Sequence, residues 1–373
     1  MLDYTQQGMA LNFMIDGVWI PREARDRESA DPALAAMKLL CGMNPQDRQS
    51  RQEGPFTAEY QGKKLNATMA SQGTPTGERV IIQFEDKKIH FKTIEEVGMR
   101  SKMEEQLRQL LGAEKGLVLF SAPPANGLRS SSNVFLHSTD RFTREFMAVE
   151  DEKNRYEEVE NVPVSTYNSG AGQTPPDILL KVFRMMSNVL VVRDLVNAQT
   201  VEMLCEEIEE ESRLVIGAVR ARDCCEALLR VLAMEAPAEL FANAVSGVVC
   251  QRLVRKLCDD CKEAYTPQPQ MLQQLGIPEG RVQAFHRPKP PDPENPKEIC
   301  KKCNGLGYFG RTAVFELLQV GDNVRQVLIE NPKLDLLRQA ARKDGMKSLQ
   351  EEGILLVAKG VTSLPELMRV LKS

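Results

Sequence analysis

The spacing of apolar residues changes character along the chain, and the change divides it. Residues 11–20 alternate apolar and polar side chains and break at Asp16-Gly17, the pattern of a β-hairpin. Residues 31–43 predict a helix, with Asp31 as N-cap, Pro32 at the first helical position and Gly42 near the stop. Residues 65–69 and 79–85 predict strands on either side of the turn-rich Thr74-Pro75-Thr76-Gly77. The first ~95 residues therefore read as a small α+β domain. Beyond them, residues 101–111 carry the spacing of an amphipathic helix, and Gly116–Phe120 is a short apolar run typical of a buried parallel strand. Further buried strands are expected at Phe146–Val149, Val189–Val192 and Leu214–Val219, alternating with helical stretches. That order predicts a doubly wound parallel sheet. The last ~60 residues read as helical, with Ser348-x-x-Glu351 and Ser363-x-x-Glu366 as capping boxes and Gly345 as a helix stop. No internal repeat is visible.

Composition narrows the class. The chain has 373 residues, 42% hydrophobic and 27% charged, with formal net charge -4. This is enough for a sizeable core and about two to three domains. No apolar run reaches the roughly 18 residues of a membrane span, and the N-terminus lacks the basic and apolar blocks of a signal peptide. The slightly acidic balance gives no support for nucleic-acid binding. Nine cysteines are an odd number, which suits a reducing cytoplasm better than a disulfide framework. Cys41, Cys205, Cys224, Cys225 and Cys250 are scattered and read as small buried hydrophobes. The adjacent Cys224 and Cys225 also admit a redox pair, the less favoured reading.

The other four cysteines carry the sharpest chemical signal. Cys258-x-x-Cys261 and Cys300-x-x-Cys303 are two CxxC pairs separated by 38 residues. Each pair can hold one metal from a tight turn, and two such turns complete a tetrahedral four-thiolate site suited to structural Zn²⁺. Arg252, Arg255, Lys256, Lys301 and Lys302 would favour the thiolates by charge attraction. The Pro-rich, charged stretch 286–298 is expected as a solvated loop inside this clip.

The flanks of the clip resemble a family. Val248–Cys258, Cys300-x-x-Cys303, Gly307–Thr312, Val314–Leu318, Ala340–Leu349 and Gly360–Leu367 look like the C-terminal part of the type II secretion and type IV pilus assembly ATPases. Ile15–Val18 and Thr76–Val80 resemble landmarks of that family's second N-terminal domain. The resemblance implies a RecA-like P-loop NTPase fold with a small N-terminal α+β domain and an inserted four-cysteine zinc subdomain. It divides the chain at 1–96, 97–249, 250–312 and 313–373: N-terminal domain, NTPase core, zinc subdomain and C-terminal helical part. It further implies a cytoplasmic hexameric motor, peripheral to the inner membrane, that drives pilin-like subunit assembly on a membrane platform. The family's first N-terminal domain, which docks on that platform, is expected to be missing, and the next domain is expected to be truncated at its start.

The nucleotide site departs from the family pattern. A P-loop reads G-x-x-x-x-G-K-[ST]: glycines let backbone N–H groups wrap the phosphates, the lysine neutralises them and the hydroxyl holds Mg²⁺. Here Ala122 replaces the first glycine and Gly127 survives, while Leu128 and Arg129 stand at the lysine and hydroxyl positions. Pro124 removes a further backbone donor. A register one residue later would use Arg129 as cation and Ser130 as hydroxyl. The family's Walker B Gly-Glu appears as Arg193-Asp194, its strand histidine as Arg220, and its acidic pair as Glu150-Asp151, which equally reads as a solvated acidic loop. Four positions at which the N-terminal domain supplies phosphate-binding arginines hold Met14, Pro55, Thr68 and Gln83. Phosphoryl transfer rests on positioning and positive charge at the phosphates. These replacements argue against ATP and Mg²⁺ as cofactors and predict a pseudo-ATPase, a structural or regulatory subunit in a homo-oligomer or in a mixed ring with an active paralogue. The competing expectations are an active motor using Arg129, Ser130 and Asp194, and a stand-alone protein-interaction module.

Overall fold

The computed structural model describes residues 1–84, 91–278, 280–289 and 299–372. Residue 85 of the second expected strand and residues 290–298 of the expected Pro-rich loop lie outside the described residues. The chain forms two compact units, Met1–Ile89 and His90–Ser373. Among the described residues no helix is long and apolar enough to cross a membrane.

The first unit is a six-stranded antiparallel sheet with one helix on its apolar face. Its elements are β1 (Leu2–Tyr4), β2 (Met9–Ile15), β3 (Val18–Arg25), α1 (Arg27–Leu40), β4 (Gln52–Tyr60), β5 (Lys63–Thr74) and β6 (Gly77–Phe84), in sheet order β3-β2-β1-β6-β5-β4. The hairpin between β2 and β3 turns on Asp16 and Gly17, both at positive φ (51° and 80°), as a twisted two-residue turn requires. Leu2, Tyr4, Met9, Met69 and Val80 from the sheet pack on Ala30 and Leu34 of α1. That helix corrects the expected start at Asp31. The N-cap is Asp26, whose carboxylate accepts the Ser29 N–H at 2.7 Å. Asp31 pairs with Arg27 (2.9 Å) and Arg48 (3.4 Å), and Pro32 sits inside the helix, where it leaves the Glu28 carbonyl without its usual donor. Gly42 ends the helix at φ +68°, as expected. Beneath α1, Lys38 and Glu78 form an ion pair with side chains 0% and 1% exposed, and Lys38 Nζ also donates to the Asp47 carbonyl at 2.7 Å.

The second unit opens with α2 (Ser101–Leu111), β7 (Gly116–Ser121), α3 (Leu128–His137), β8 (Phe146–Asp151), β9 (Val164–Tyr167), α4 (Pro176–Phe183), β10 (Val189–Val192), α5 (Ala198–Glu211), β11 (Leu214–Val219), α6 (Cys224–Leu232) and α7 (Ala238–Ala244). It continues through β12 (Val245–Leu257), β13 (Lys262–Tyr265), α8 (Pro269–Gln274), β14 (Phe285–Pro288) and β15 (Tyr308–Gln319), and closes with α9 (Asp322–Glu330), α10 (Leu334–Lys343), α11 (Leu349–Ala358) and α12 (Leu364–Lys372). The main sheet runs β15-β12-β7-β11-β10-β8-β9, parallel except for β15, which pairs antiparallel with β12. Its central strands are buried on both faces. Leu117 and Leu119 of β7 join an apolar layer with α4 to α7, α9 and α10, while Val118 and Phe120 join the layer with α2 and α3. This is the doubly wound α/β architecture that the apolar runs predict.

The four-cysteine excursion leaves the sheet at the end of β12 and returns at the start of β15, carrying the small β13–β14 sheet and α8 between them. Ser348 and Glu351 make the full capping box at α11. At α12 Ser363 accepts the Glu366 N–H at 3.3 Å, but the Glu366 carboxylate turns to Arg255 and Arg369, each at 2.7 Å.

Candidate functional site

In open α/β sheets, ligands sit beyond the carboxyl ends of the parallel strands. Here β7 ends at Ser121, and the loop 122–127 leads into α3 through Gly127, the N-cap at φ 79°. The loop is tied down from one side: the Gln251 amide donates to the Asn126 carbonyl at 2.6 Å, and the Asn126 side chain accepts the Leu253 N–H at 2.9 Å. Ala122 is fully buried. Leu128, at the lysine position, is 3% exposed and packs into the apolar layer with Phe120 and Val134. Arg129 and Ser130 are both exposed on the first turn of α3. No side chain caps that helix.

The acidic pair at the end of β8 is not a solvated loop. Glu150 is 2% exposed, and both of its oxygens are engaged. One takes Arg193 Nε at 3.1 Å, and the other takes Arg155 Nε and the Tyr156 N–H, both at 3.1 Å. Arg193, standing where the resemblance places a glycine, is the buried counter-charge to Glu150. Two guanidinium groups lie over the Tyr156 ring, Arg193 at 4.2 Å and Arg129 at 5.0 Å from its centre. Asp151 accepts from the Ser169 hydroxyl at 2.7 Å and from Asn154 at 3.1 Å; the Ser169 bond leads in holding its carboxyl below the usual range.

Beside this network opens a cleft of about 870 Å³. Arg129, Asp151, Asp194 and Arg220 all line it, so four expected site residues from α3, β8 and the ends of β10 and β11 converge. Burial pushes the Asp194 carboxyl up, opposed by Arg220 and Arg129. Residues 122–128 and Ser130 do not line it. Arg230 on α6 also faces the cleft, as do Tyr156 and Tyr167, and sequence reasoning missed all three. Arg230 stands with Glu226 on the polar side of α6, where nothing local separates a cleft arginine from a solvated one. In the first unit, Pro55, Thr68 and Gln83 form one row across β4, β5 and β6, and Met14 lies on β2.

The four clip cysteines do come together. Their sulfur atoms all lie within 4.8 Å of one another, with Cys258–Cys300 at 3.8 Å and Cys261–Cys303 at 3.6 Å. A tetrahedral ion with M–S bonds of about 2.3 Å has S···S edges of about 3.8 Å, so the cluster is shaped to hold a metal ion. The Gly307 N–H donates to Cys303 Sγ at 3.3 Å, and the Cys258 N–H donates to the Gly307 carbonyl at 3.0 Å, which orients both turns. The expected help from basic neighbours is largely diverted: Arg255 pairs with Glu366, Lys302 with Asp260 at 2.8 Å, and Arg252 donates to the Arg222 and Val370 carbonyls. Backbone N–H groups, the Cys303 N–H foremost, draw Cys300 down to about 7, while burial pushes Cys258 and Cys261 up. The other five cysteines are buried free thiols, with burial pushing Cys205 and Cys225 up to about 12. Such thiols are inert packing groups.

The pattern of the Type II/IV secretion system protein family matches residues 2–369. The chain is 24% identical over 363 residues to the type IV pilus assembly ATPase PilB of Thermus thermophilus, covering 97% of this chain and 40% of that protein. It is 23% identical to the type II secretion system protein E of Pseudomonas aeruginosa, covering 99% of this chain and 71% of that one. It is 26% identical to the protein transport protein HofB homolog of Escherichia coli, covering 97% and 75%. The chain thus spans less than half of the pilus ATPase and about three quarters of the other two. In fold it is similar to the ATPase DotB of Yersinia pseudotuberculosis (TM-score 0.60, 11% identity, covering 100% and 89%) and to the pilus retraction motor PilT bound to ADP (TM-score 0.52, 15% identity, covering 99% and 92%).

Proposed function

We propose that this chain, which belongs to the type II/IV secretion system protein family, is a member that does not hydrolyse ATP and serves a type II secretion or type IV pilus-like machine as a structural or regulatory subunit. The observation that carries this reading is the state of the catalytic positions. The lysine position holds a leucine committed to the core, and Glu150 is consumed by Arg193, Arg155 and the Tyr156 N–H. Glu150, buried with both oxygens engaged, does not line the cleft, so it is poorly placed to act on a metal-bound water there. Loss of a single preorganised charge-stabilising donor costs about 10²–10³ in rate, and here several are replaced together. Arg129 and Asp194 share the cleft, but Ser130 stays outside it, so the late register lacks its hydroxyl.

The same reading assigns the clip to structural Zn²⁺, the ion whose four-thiolate preference fits the donor set. It gives 1–96 to the family's second N-terminal domain, 97–249 to the NTPase core, 250–312 to the zinc subdomain hung between two strands of the core sheet, and 313–373 to the C-terminal helices. The protein would act in the cytoplasm or at the face of the inner membrane, as a homo-oligomer or in a mixed ring with an active paralogue. The test is phosphate release from Mg-ATP by the metal-loaded protein. No release above buffer is expected; turnover near 1 s⁻¹ that vanishes in Asp194→Asn would establish an active motor instead. Co-purification with an active secretion ATPase would separate the ring subunit from a stand-alone interaction module.

A further inference from the structure

Helix α11 is apolar over more of its circumference than the protein covers. Ile354-Leu355-Leu356-Val357-Ala358 is a continuous apolar run, and consecutive helical residues point all around the axis. A helix apolar on every side expects cover on every side. Ile354 and Val357 are buried, but Leu355 keeps 40% of its surface exposed. It stands on the wall of a groove of about 720 Å³. That wall is the face of α11 formed by Glu351, Ile354, Leu355 and Ala358, at i, i+3, i+4 and i+7. Facing it is the segment between α8 and β14, through the half-buried Leu275, Ile277 and Val282. Leu355 also borders a smaller hollow of about 150 Å³ with Met99 and Phe315, so one uncovered aliphatic side chain is shared by two depressions.

The charge of the groove is one-sided. Arg281, Lys347 and Lys359 line it and are exposed, and their side chains make no hydrogen bond or ion pair among the described residues. The acid among the described lining residues, Glu351, is committed to the helix cap, where its carboxylate accepts the Ser348 N–H and hydroxyl, both at 2.8 Å. No strand lines the groove among the described residues, so an extended peptide has no sheet edge to join there. A concave apolar wall receives a projecting row of side chains, which a helix supplies and a flat bilayer surface does not. We propose that this groove docks an acidic amphipathic helix of a partner protein, its apolar row seated on Leu355 and its carboxylates facing Lys347, Lys359 and Arg281. The groove shares no residue with the cleft at the strand ends, so the docking stands whether or not the chain hydrolyses ATP.

The test is fluorescence anisotropy of a labelled, alanine-rich helical peptide of about 20 residues, with leucines at i, i+4 and i+7 flanked by glutamates, titrated with the full chain. A second peptide carries lysines in place of the glutamates. The glutamate peptide should bind, and the lysine peptide should bind roughly tenfold more weakly or worse. Leu355→Ala, at an exposed position, should weaken the glutamate peptide roughly tenfold, the loss expected when a leucine contact is truncated. Lys347→Glu combined with Lys359→Glu, both on the surface and checked for folding by circular dichroism, should weaken it about two- to thirtyfold and reverse the preference toward the lysine peptide. That reversal separates recognition from damage to the fold. Four outcomes overturn the proposal: no binding at millimolar protein, equal binding of the two peptides, affinity unchanged in Leu355→Ala, or no reversal in the double variant. A chain that binds neither peptide but sediments with phosphatidylglycerol vesicles, and ceases to do so in Leu355→Ala, would assign this face to a membrane surface instead.

Discussion

The four-cysteine clip and the cleft at the strand ends lie in one compact unit and have fared differently. In the clip every ligand is present, the sulfur spacing suits a tetrahedral ion, and backbone groups orient both turns. Around the cleft the strands and the loop sit where a nucleotide site would be, yet the side chains have found partners within the protein: Glu150 with Arg193, Leu128 with the core, Tyr156 with two arginines. A group that shapes the chain is retained because losing it unfolds something. A group that only reacts can be replaced, provided the buried charge left behind is neutralised. The contrast teaches that the state of a site is read more surely from its new pairings than from its missing residues.

The largest effect is expected at the clip. Cys258→Ser with Cys300→Ser should abolish metal binding and remove on the order of 10 kcal/mol of local folding free energy, read as loss of hydrogen-exchange protection across residues 258–289 and 299–307. Elemental analysis of the unmodified protein should find about one zinc per chain. Full thermal stability of the metal-free variant would break the comparison from the clip's side.

Next come the pairings in the cleft. Glu150→Ala strands Arg193 in the interior and should destabilise by about 3–5 kcal/mol in denaturant unfolding, while replacing both partners with apolar residues of similar volume should be close to neutral. Additive losses in the double variant would show that the two residues do not act as a pair. Leu128→Lys restores the family's residue, but at a core position. It should cost about 3 kcal/mol or more and yield no phosphate release, because Glu150 and Asp151 stay engaged. Gain of hydrolysis would mean that the site is one substitution from function.

Smaller effects concern two buried glutamates with opposite pH signatures. Burial raises the Glu316 carboxyl to about 7, although it accepts the Cys224 and Leu349 N–H groups at the starts of α6 and α11. Its folded value lies above the unfolded one near 4.3, so its contribution is present below about pH 4 and is lost as pH rises through 7. Glu366 goes the other way. Burial alone would raise it, but Arg369 and Arg255 outweigh burial and hold it at about 2. Its contribution is present above about pH 4 and is lost as pH falls toward 2. Unfolding of Glu316→Gln and Glu366→Gln against pH should flatten each slope in its own window. The change should reach up to a few kcal/mol for Glu316 and less for Glu366, whose partner Arg369 is open to solvent.

How much of this was legible depended on range. Strands β7, β8, β10 and β11 announced themselves as continuous apolar runs because both faces are buried. The clip was legible because CxxC spacing is local chemistry. The start of α1 was misplaced because Asp31-Pro32 imitates a helix start, and only the tertiary pairing of Asp31 with Arg48 shows that its carboxylate is not capping. The Glu150–Arg193 pair was missed for a similar reason. The two residues are 43 apart, and nothing short of the β8–β10 register brings them together. Arg230 and Tyr167 belong to the cleft only through the fold.

The most direct test of the central claim is phosphate release from Mg-ATP by the metal-loaded chain. Bound metal and no release above buffer are expected. Turnover near 1 s⁻¹, abolished in Asp194→Asn and retained after Arg193 and Glu150 are replaced together, would contradict it.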